Sequence, residues 1–214
     1  MRKYQRLTRE QADRWLVPTP NPNSYLNFQT LFGNNQPVEM EIGFGKGTFI
    51  VESADQNPSI NYFGLEHETK YAFHTASRLH RRNLVNCKVL AADGSKILNL
   101  NIIPGSLNAL HLYFPDPWWK TRHHKRRIMS SLFLNCVARS LGRGKQFHMA
   151  TDVPEYFHNT LKLLENNPAL TLLKVWHSIQ MPPVNSIVTN FERKAYTQGR
   201  TVHRLLAISS IHAN

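Results

Sequence analysis

Val38-Glu-Met-Glu41-Ile-Gly43-Phe-Gly45-Lys-Gly47 decides the fold. A short apolar run, Val38–Ile42, reads as a buried strand. Three alternate glycines follow, and Gly47–Ala54 has helical spacing. Glycine lets backbone approach a ligand closely and lets the chain turn into a helix. The same strand-then-helix pattern recurs downstream. Strands are expected at Asn61–Leu65, Cys87–Ala91, Leu107–Tyr113, Gln146–Ala150, Leu170–Val175 and Val202–Ile208. Helices are expected at Glu68–Arg82, Lys125–Leu141 and Glu155–Asn166. This alternation predicts an α/β, Rossmann-like domain: a mostly parallel seven-stranded sheet with helices on both faces.

Residues 1–36 read as a basic, Pro- and Asn-rich N-terminal arm with a short helix around Arg9–Leu16, and 37–214 as a single domain. The segment from Pro182 to Phe191 reads as a functional loop. The chain has 214 residues, enough for one such domain. Twenty-six Lys and Arg against 14 Asp and Glu give a formal charge of +12, with a pI of about 10.0. That excess points to a polyanionic partner, because Lys and Arg displace the counterions condensed on phosphates. No apolar run approaches the ~18 residues of a membrane span, and the N-terminus lacks the apolar core of a signal peptide. Cys87 and Cys136 form no metal or redox spacing, so a reduced, cytoplasmic protein is expected.

In a doubly wound sheet, ligands bind beyond the carboxyl ends of the strands. Four acids stand at four successive strand ends: Glu41, Glu66, Asp93 and Asp116. A nicotinamide cofactor fits poorly, since its diphosphate would face Glu41 just ahead of the glycines. A ligand bearing a sulfonium, an ammonium and an adenosine fits the acids well, which describes S-adenosylmethionine. Glu66, 23 residues beyond Gly43, is placed to accept from ribose hydroxyls. The expected cofactor site is therefore Glu41, Gly43, Gly45, Glu66, Asp93 and Asp116.

Phe114-Pro-Asp-Pro-Trp-Trp119 runs directly into Lys120-Thr-Arg122-His-His-Lys125-Arg126-Arg127, five permanent cations in eight positions. Cations at a helix start oppose the macrodipole, so Arg122, Lys125, Arg126 and Arg127 are expected to bind RNA phosphates. Arg2, Lys3, Arg6 and Arg9 would extend that footprint. His123 and His124 are adjacent but lack a Cys or carboxylate partner at ligand spacing, so no metal is expected. Asp152, after the fifth strand, and Thr189-Asn190-Phe191-Glu192, in the late loop, are further candidates. A carboxylate there accepts from the N1–H and exocyclic amine of guanine, and an aromatic walls the base.

These residues together resemble the bacterial tRNA (guanine-N7-)-methyltransferase family. The sharpest segments are Glu41–Gly47, Phe114–Trp118 with Arg122–Arg127, Thr151-Asp152, and Thr189–Lys194 followed by Gly199. The resemblance implies S-adenosylmethionine as cofactor, tRNA as partner, and guanosine 46 of the variable loop as target. It assigns Lys120, Asp152 and Thr189–Glu192 to the substrate. Asp116 and Asp152 would orient the reactants and balance charge, with no general base. The sequence departs from the family at Trp119 and Thr121, where Pro and Lys are usual. A monomer or homodimer is compatible with the pattern. An RNA- and cofactor-binding protein of this fold without turnover is the alternative reading.

Overall fold

The structure is a computed structural model that describes residues 12–183 and 186–211. Arg2, Lys3, Arg6 and Arg9 lie outside the described residues. Its strands are β1 Leu16–Val17, β2 Val38–Ile42, β3 Asn61–Glu66, β4 Cys87–Ala91, β5 Leu107–Tyr113, β6 Leu141–Thr151, β7 Leu170–Ser178 and β8 Val202–Ser209. The α-helices, numbered along the chain, are α1 Phe28–Phe32, α2 Thr48–Gln56, α3 Thr69–Arg82, α4 Gly94–Leu100, α5 Ser131–Ser140, α6 Pro154–Glu165 and α7 Asn190–Thr197.

Eight strands form one sheet in the order β1-β4-β3-β2-β5-β6-β8-β7. All neighbours from β1 to β6 are parallel, and β8 runs antiparallel to both β6 and β7. Parallel strands must be covered on both faces. Ile50, Val51, Ala72, Ala76 and Leu79 of α2 and α3 pack on one side. Phe28, Ile97, Leu98, Phe133, Leu134, Tyr156 and Phe157, from α1, α4, α5 and α6, pack on the other.

Local chemistry sets the helix limits. In α3, Ala72, Thr75, Ala76 and Leu79 are buried, the i, i+3, i+4, i+7 spacing of one helical face. Its last turn holds His80, Arg81 and Arg82, which complement the negative end of the dipole. Asn83 then takes φ 51° and closes the helix. The helix expected over Lys125–Leu141 divides in two. Thr121–Arg126 forms a 3-10 turn, and α5 starts only after Ser130, whose side chain accepts from the Phe133 N–H at 3.2 Å.

Four elements were not expected: α1, α4, α7 and β1. α4 has only seven residues and begins at an Asp93 cap. α7 replaces the end of the expected loop: Thr189 caps it by accepting from the Glu192 N–H at 3.1 Å. β1 makes the sheet eight-stranded instead of seven. Of the segment read as a peripheral arm, residues 12–36 pack onto the domain: β1 pairs with β4, and Ala12, Trp15, Val17 and Phe28 are buried. The Pro/Asn-rich composition masked four widely spaced apolar anchors.

Because β2 to β6 are parallel, Gly43, Glu66, Asp93, Asp116 and Asp152 all fall at the same edge of the sheet. The antiparallel β8 starts at that edge, with Arg204 opposite Ala150. Trp15 tests whether residues 12–36 are integral. Its indole N–H donates to Leu84 O at 2.9 Å and its ring meets His80 edge-on at 5.0 Å. Trp15→Ala should cost about 3–5 kcal/mol in denaturant unfolding; a loss within error would detach the segment from the core.

Candidate active site

Glu41 sits one residue before the end of β2, inside the sheet. It is 4% exposed, and its Oε2 has no hydrogen-bond partner. Burial, with the Glu66 charge adding to it, pushes the carboxyl up to about 8, against a smaller opposing hydrogen bond from the Ile50 backbone. An unpaired buried carboxylate is costly. It borders a cavity of about 250 Å³, whose wall includes Gly43, Phe44, Gly45, Lys46, Thr48, Phe49, Tyr71, Tyr113, Asn190 and Phe191. Gly43 and Gly45 have φ of 75° and 53°, and a Cβ on either would stand in open space. The turn thus offers bare backbone to whatever fills the cavity.

Glu66 holds that turn in shape. Its Oε2 accepts from the Gly45 N–H at 2.7 Å and its Oε1 from the Glu68 N–H at 3.0 Å. The four acids expected around one pocket therefore differ. Glu41 opens into the cavity, and Glu66 stands behind the glycine turn. Asp93 is exposed and caps α4, accepting from the Ser95 and Lys96 N–H groups at 3.0 and 3.3 Å. Asp116 is exposed and, like Asp93 and Glu66, is not among the lining residues.

A second cavity of about 340 Å³ adjoins the first and shares Phe49, Tyr113 and Thr189 with it. Its wall also includes His148, Trp176, Glu192, Tyr196 and Arg204. Glu192 is buried; its Oε1 accepts from the Tyr196 hydroxyl at 3.3 Å and from Arg204. Asn190 donates to Thr48 Oγ1 at 3.1 Å, tying α7 to α2. Phe191 is 61% exposed and stacks on Phe114 with 6.3 Å between ring centres. Asp152 pairs with Arg200 and lines neither cavity.

The basic segment is held by one of its own members. Arg127 Nε donates to Pro117 O at 2.8 Å, and its two terminal nitrogens donate to the Glu155 carboxylate at 2.9 Å each. Its guanidinium also lies 5.3 Å from the Tyr156 ring centre. These contacts make Arg127, one of the cations expected to meet phosphates, a clamp on the Phe114–Trp119 turn, in which Phe114 and Trp118 adopt φ of 51° and 46°. Those values are uncommon for bulky residues and need such support. Arg126 covers the Trp118 ring at 5.0 Å. Lys120, Arg122, Lys125 and Arg126 remain exposed.

Residues 35–205 match a family model described as "Putative methyltransferase". The chain is 40% identical over 199 residues to the tRNA (guanine-N(7)-)-methyltransferase of Rhodopirellula baltica, covering 90% of this chain and 73% of that protein. It is 36% identical to the protein of the same name from Mannheimia succiniciproducens, covering 88% and 76%. The chain belongs to this methyltransferase family. Among solved structures, an antibiotic-related methyltransferase aligns with a TM-score of 0.65 at 15% identity, over 85% of this chain and 92% of that one. The 16S rRNA methyltransferase KamB aligns with a TM-score of 0.65 at 17% identity, over 87% and 95%. At such identities these structures support the fold, a Rossmann-like methyltransferase sheet.

Sequence reasoning missed Phe49, Tyr113, His148, Tyr196 and Arg204 in the cavity walls. Strand and helix positions carry no label for a functional wall; a signal was available only for Tyr113, the last residue of a strand, had the strand-end rule been extended to it. The raised Glu41 carboxyl has a consequence for stability. The unfolded chain loses this proton near the ordinary 4.5 while the fold keeps it until about 8, so stability falls as pH rises across that window. Glu41→Gln should therefore melt above the wild type at pH 8 and converge with it below pH 4.5. Equal melting temperatures at both pH values would remove the burial cost.

Proposed function

We propose that this protein transfers the methyl group of S-adenosylmethionine to N7 of a guanine in tRNA. The observation that carries the reading is the buried Glu41 carboxyl, its Oε2 without a partner, in a glycine-lined cavity that shares a wall with a second cavity of about 340 Å³. The cofactor fits the first cavity by charge and by space: Glu41 supplies the missing negative partner for a cationic ligand, and Gly43 and Gly45 leave room for close approach. When bound, the cofactor supplies an electrophilic methyl group on a sulfonium.

The chain's own residues do the rest. Guanine N7 has an in-plane lone pair and loses no proton before it attacks, so no general base is required. Holding the acceptor nitrogen in line with the methyl and the sulfur supplies roughly 7–11 kcal/mol of barrier reduction. Phe49, Tyr113 and Thr189 form the shared wall where the two reactants would meet. Glu192, in the second cavity, is our candidate for the guanine N1–H and exocyclic amine, with Phe191 at the rim as a base-stacking surface. Arg204 and Tyr196 orient the Glu192 carboxylate. The methylated base is cationic, so acidic groups in the walls favour product-like charge. We assign Asp152 a positioning role through Arg200, and Asp116 an electrostatic role at the turn.

The exposed cations Lys120, Arg122, Lys125 and Arg126 would follow the tRNA backbone, and guanosine 46 of the variable loop is the proposed target. The family membership and the +12 charge support tRNA as partner. Among the described residues no helix is long and apolar enough to cross a membrane. Incubation with labelled S-adenosylmethionine and unmodified tRNA, followed by mapping of the modified base, should give 7-methylguanosine at one position. Glu41→Gln should weaken cofactor binding about tenfold or more, the scale of a lost charged hydrogen bond. Replacing Arg122, Lys125 and Arg126 together by Ala should lower the slope of log affinity against log salt by up to about 3. Cofactor and tRNA binding without label transfer would leave a binding protein in place of an enzyme, and an unchanged salt slope would take the basic turn out of the interface.

A further inference from the structure

Glu39, His111 and Tyr113 form a hydrogen-bonded chain that ends at the shared wall of the two cavities. Glu39 Oε2 lies 3.0 Å from His111 Nε2, and His111 Nδ1 lies 3.0 Å from the Tyr113 hydroxyl. The His111 side chain is 7% exposed and that of Glu39 16%. Burial alone would raise the Glu39 carboxyl, but hydrogen bonding and charge from His111 outweigh it and hold Glu39 below the ordinary range. An ionised Glu39 carries no proton, so His111 Nε2–H donates to it. In the Nε2–H tautomer Nδ1 accepts from the Tyr113 O–H. That bond commits the phenolic proton to His111 and leaves the lone pairs of the oxygen as acceptors.

The chain is held from both sides. Phe49 packs on the His111 ring at 4.7 Å and on the Tyr113 ring at 4.9 Å. His148 stacks on His111 at 4.9 Å. Burial, then the neighbouring His111, pushes His148 down to about 4, so it is neutral at pH 7. Burial first, then the Glu41, Glu39 and Glu192 carboxylates, raises the Tyr113 phenol, so it stays protonated. A protonated phenol whose hydrogen is held by His111 is an acceptor anchored at the cavity wall.

The position of that oxygen decides its partner. Tyr113 borders both cavities, so it faces the boundary that the methyl group crosses. A methyl on a sulfonium carries positive charge on its hydrogens, which makes them donors of weak hydrogen bonds. We propose that the Tyr113 hydroxyl, aligned by His111 and Glu39, is the acceptor that faces the transferable methyl group of the cofactor. Tyr113 touches the cofactor; His111 and Glu39 are positioning residues. The inference rests on the cofactor reading above and deepens it.

The test compares S-adenosylmethionine with S-adenosylhomocysteine, which lacks the methyl and the sulfonium charge and keeps the rest. Calorimetric titration of the full chain needs no tRNA. Tyr113→Phe should weaken S-adenosylmethionine binding about two- to fivefold, the scale of weak C–H···O contacts, and leave S-adenosylhomocysteine affinity unchanged. Glu39→Gln should shift the same ratio in the same direction. Tyr113→Phe combined with His111→Gln should be no worse than Tyr113→Phe alone, because coupled residues do not add. Parallel losses for both ligands, no loss for either, or additive losses in the double variant would overturn the inference while the cofactor reading stands. A wild-type protein that binds neither ligand would overturn both. Melting curves identify a variant that fails to fold, and Glu39→Gln then carries the comparison on its own.

Discussion

The site depends on one costly arrangement: a carboxyl group buried near the end of a central strand, with no cationic partner and its proton held until about pH 8. Glu41 is flanked by Gly64 of β3 and His111 of β5 in register, deep in the middle of the sheet. An interior that buries an acid without a partner gains nothing in stability. In the proposed reading the compensation is functional, because a cationic ligand entering the cavity would supply the missing charge in a medium of low dielectric, where the attraction is strong. The protein is strongly basic, yet the deepest charged group of this pocket is an acid, Glu41, with Lys46 and Lys194 also in the wall. The two signs match two partners, a small cation inside and a polyanion outside.

The parallel sheet makes the arrangement possible. It delivers the ends of β2, β3, β4, β5 and β6 to one edge, so residues far apart in sequence share one surface. Glu66 locks the glycine turn, Arg127 clamps the Phe114–Trp119 turn, and Thr189 starts the helix that brings Asn190 to Thr48. Each of these contacts spends a polar group on geometry and leaves another free. Glu66 and Arg127 hold, while Glu41 and the exposed Lys120, Arg122 and Lys125 remain available.

Much of this was legible in the sequence. The seven longer strands announce themselves as apolar runs between turn residues, and the strand-end rule brings Glu41, the glycines and Asp116 to one edge of the sheet. Asp93 shows what that rule leaves out: its Oδ1 also caps α4, a second role that a strand-end position does not announce. The short α4 has too few residues for a helical period to show. Arg127 reads as one more cation in a charged block because its partner Glu155 is distant in sequence. Tyr113, His111 and Glu39 read as strand residues. Their hydrogen-bonded chain exists only once β2 and β5 lie side by side, which no local pattern encodes. β1, with two residues, has no periodicity to detect.

The ionisation of Glu41 is the most direct test of the account. Carbon-detected magnetic resonance of the protein with labelled glutamate follows the Glu41 carboxyl through a pH titration, with Glu41→Gln identifying the signal. The expected midpoint in the free protein is near the value of about 8 set by burial, with a carboxylate signal already at pH 6 once S-adenosylmethionine is bound. A midpoint in the ordinary glutamate range in the free protein, unmoved by the cofactor, would contradict it.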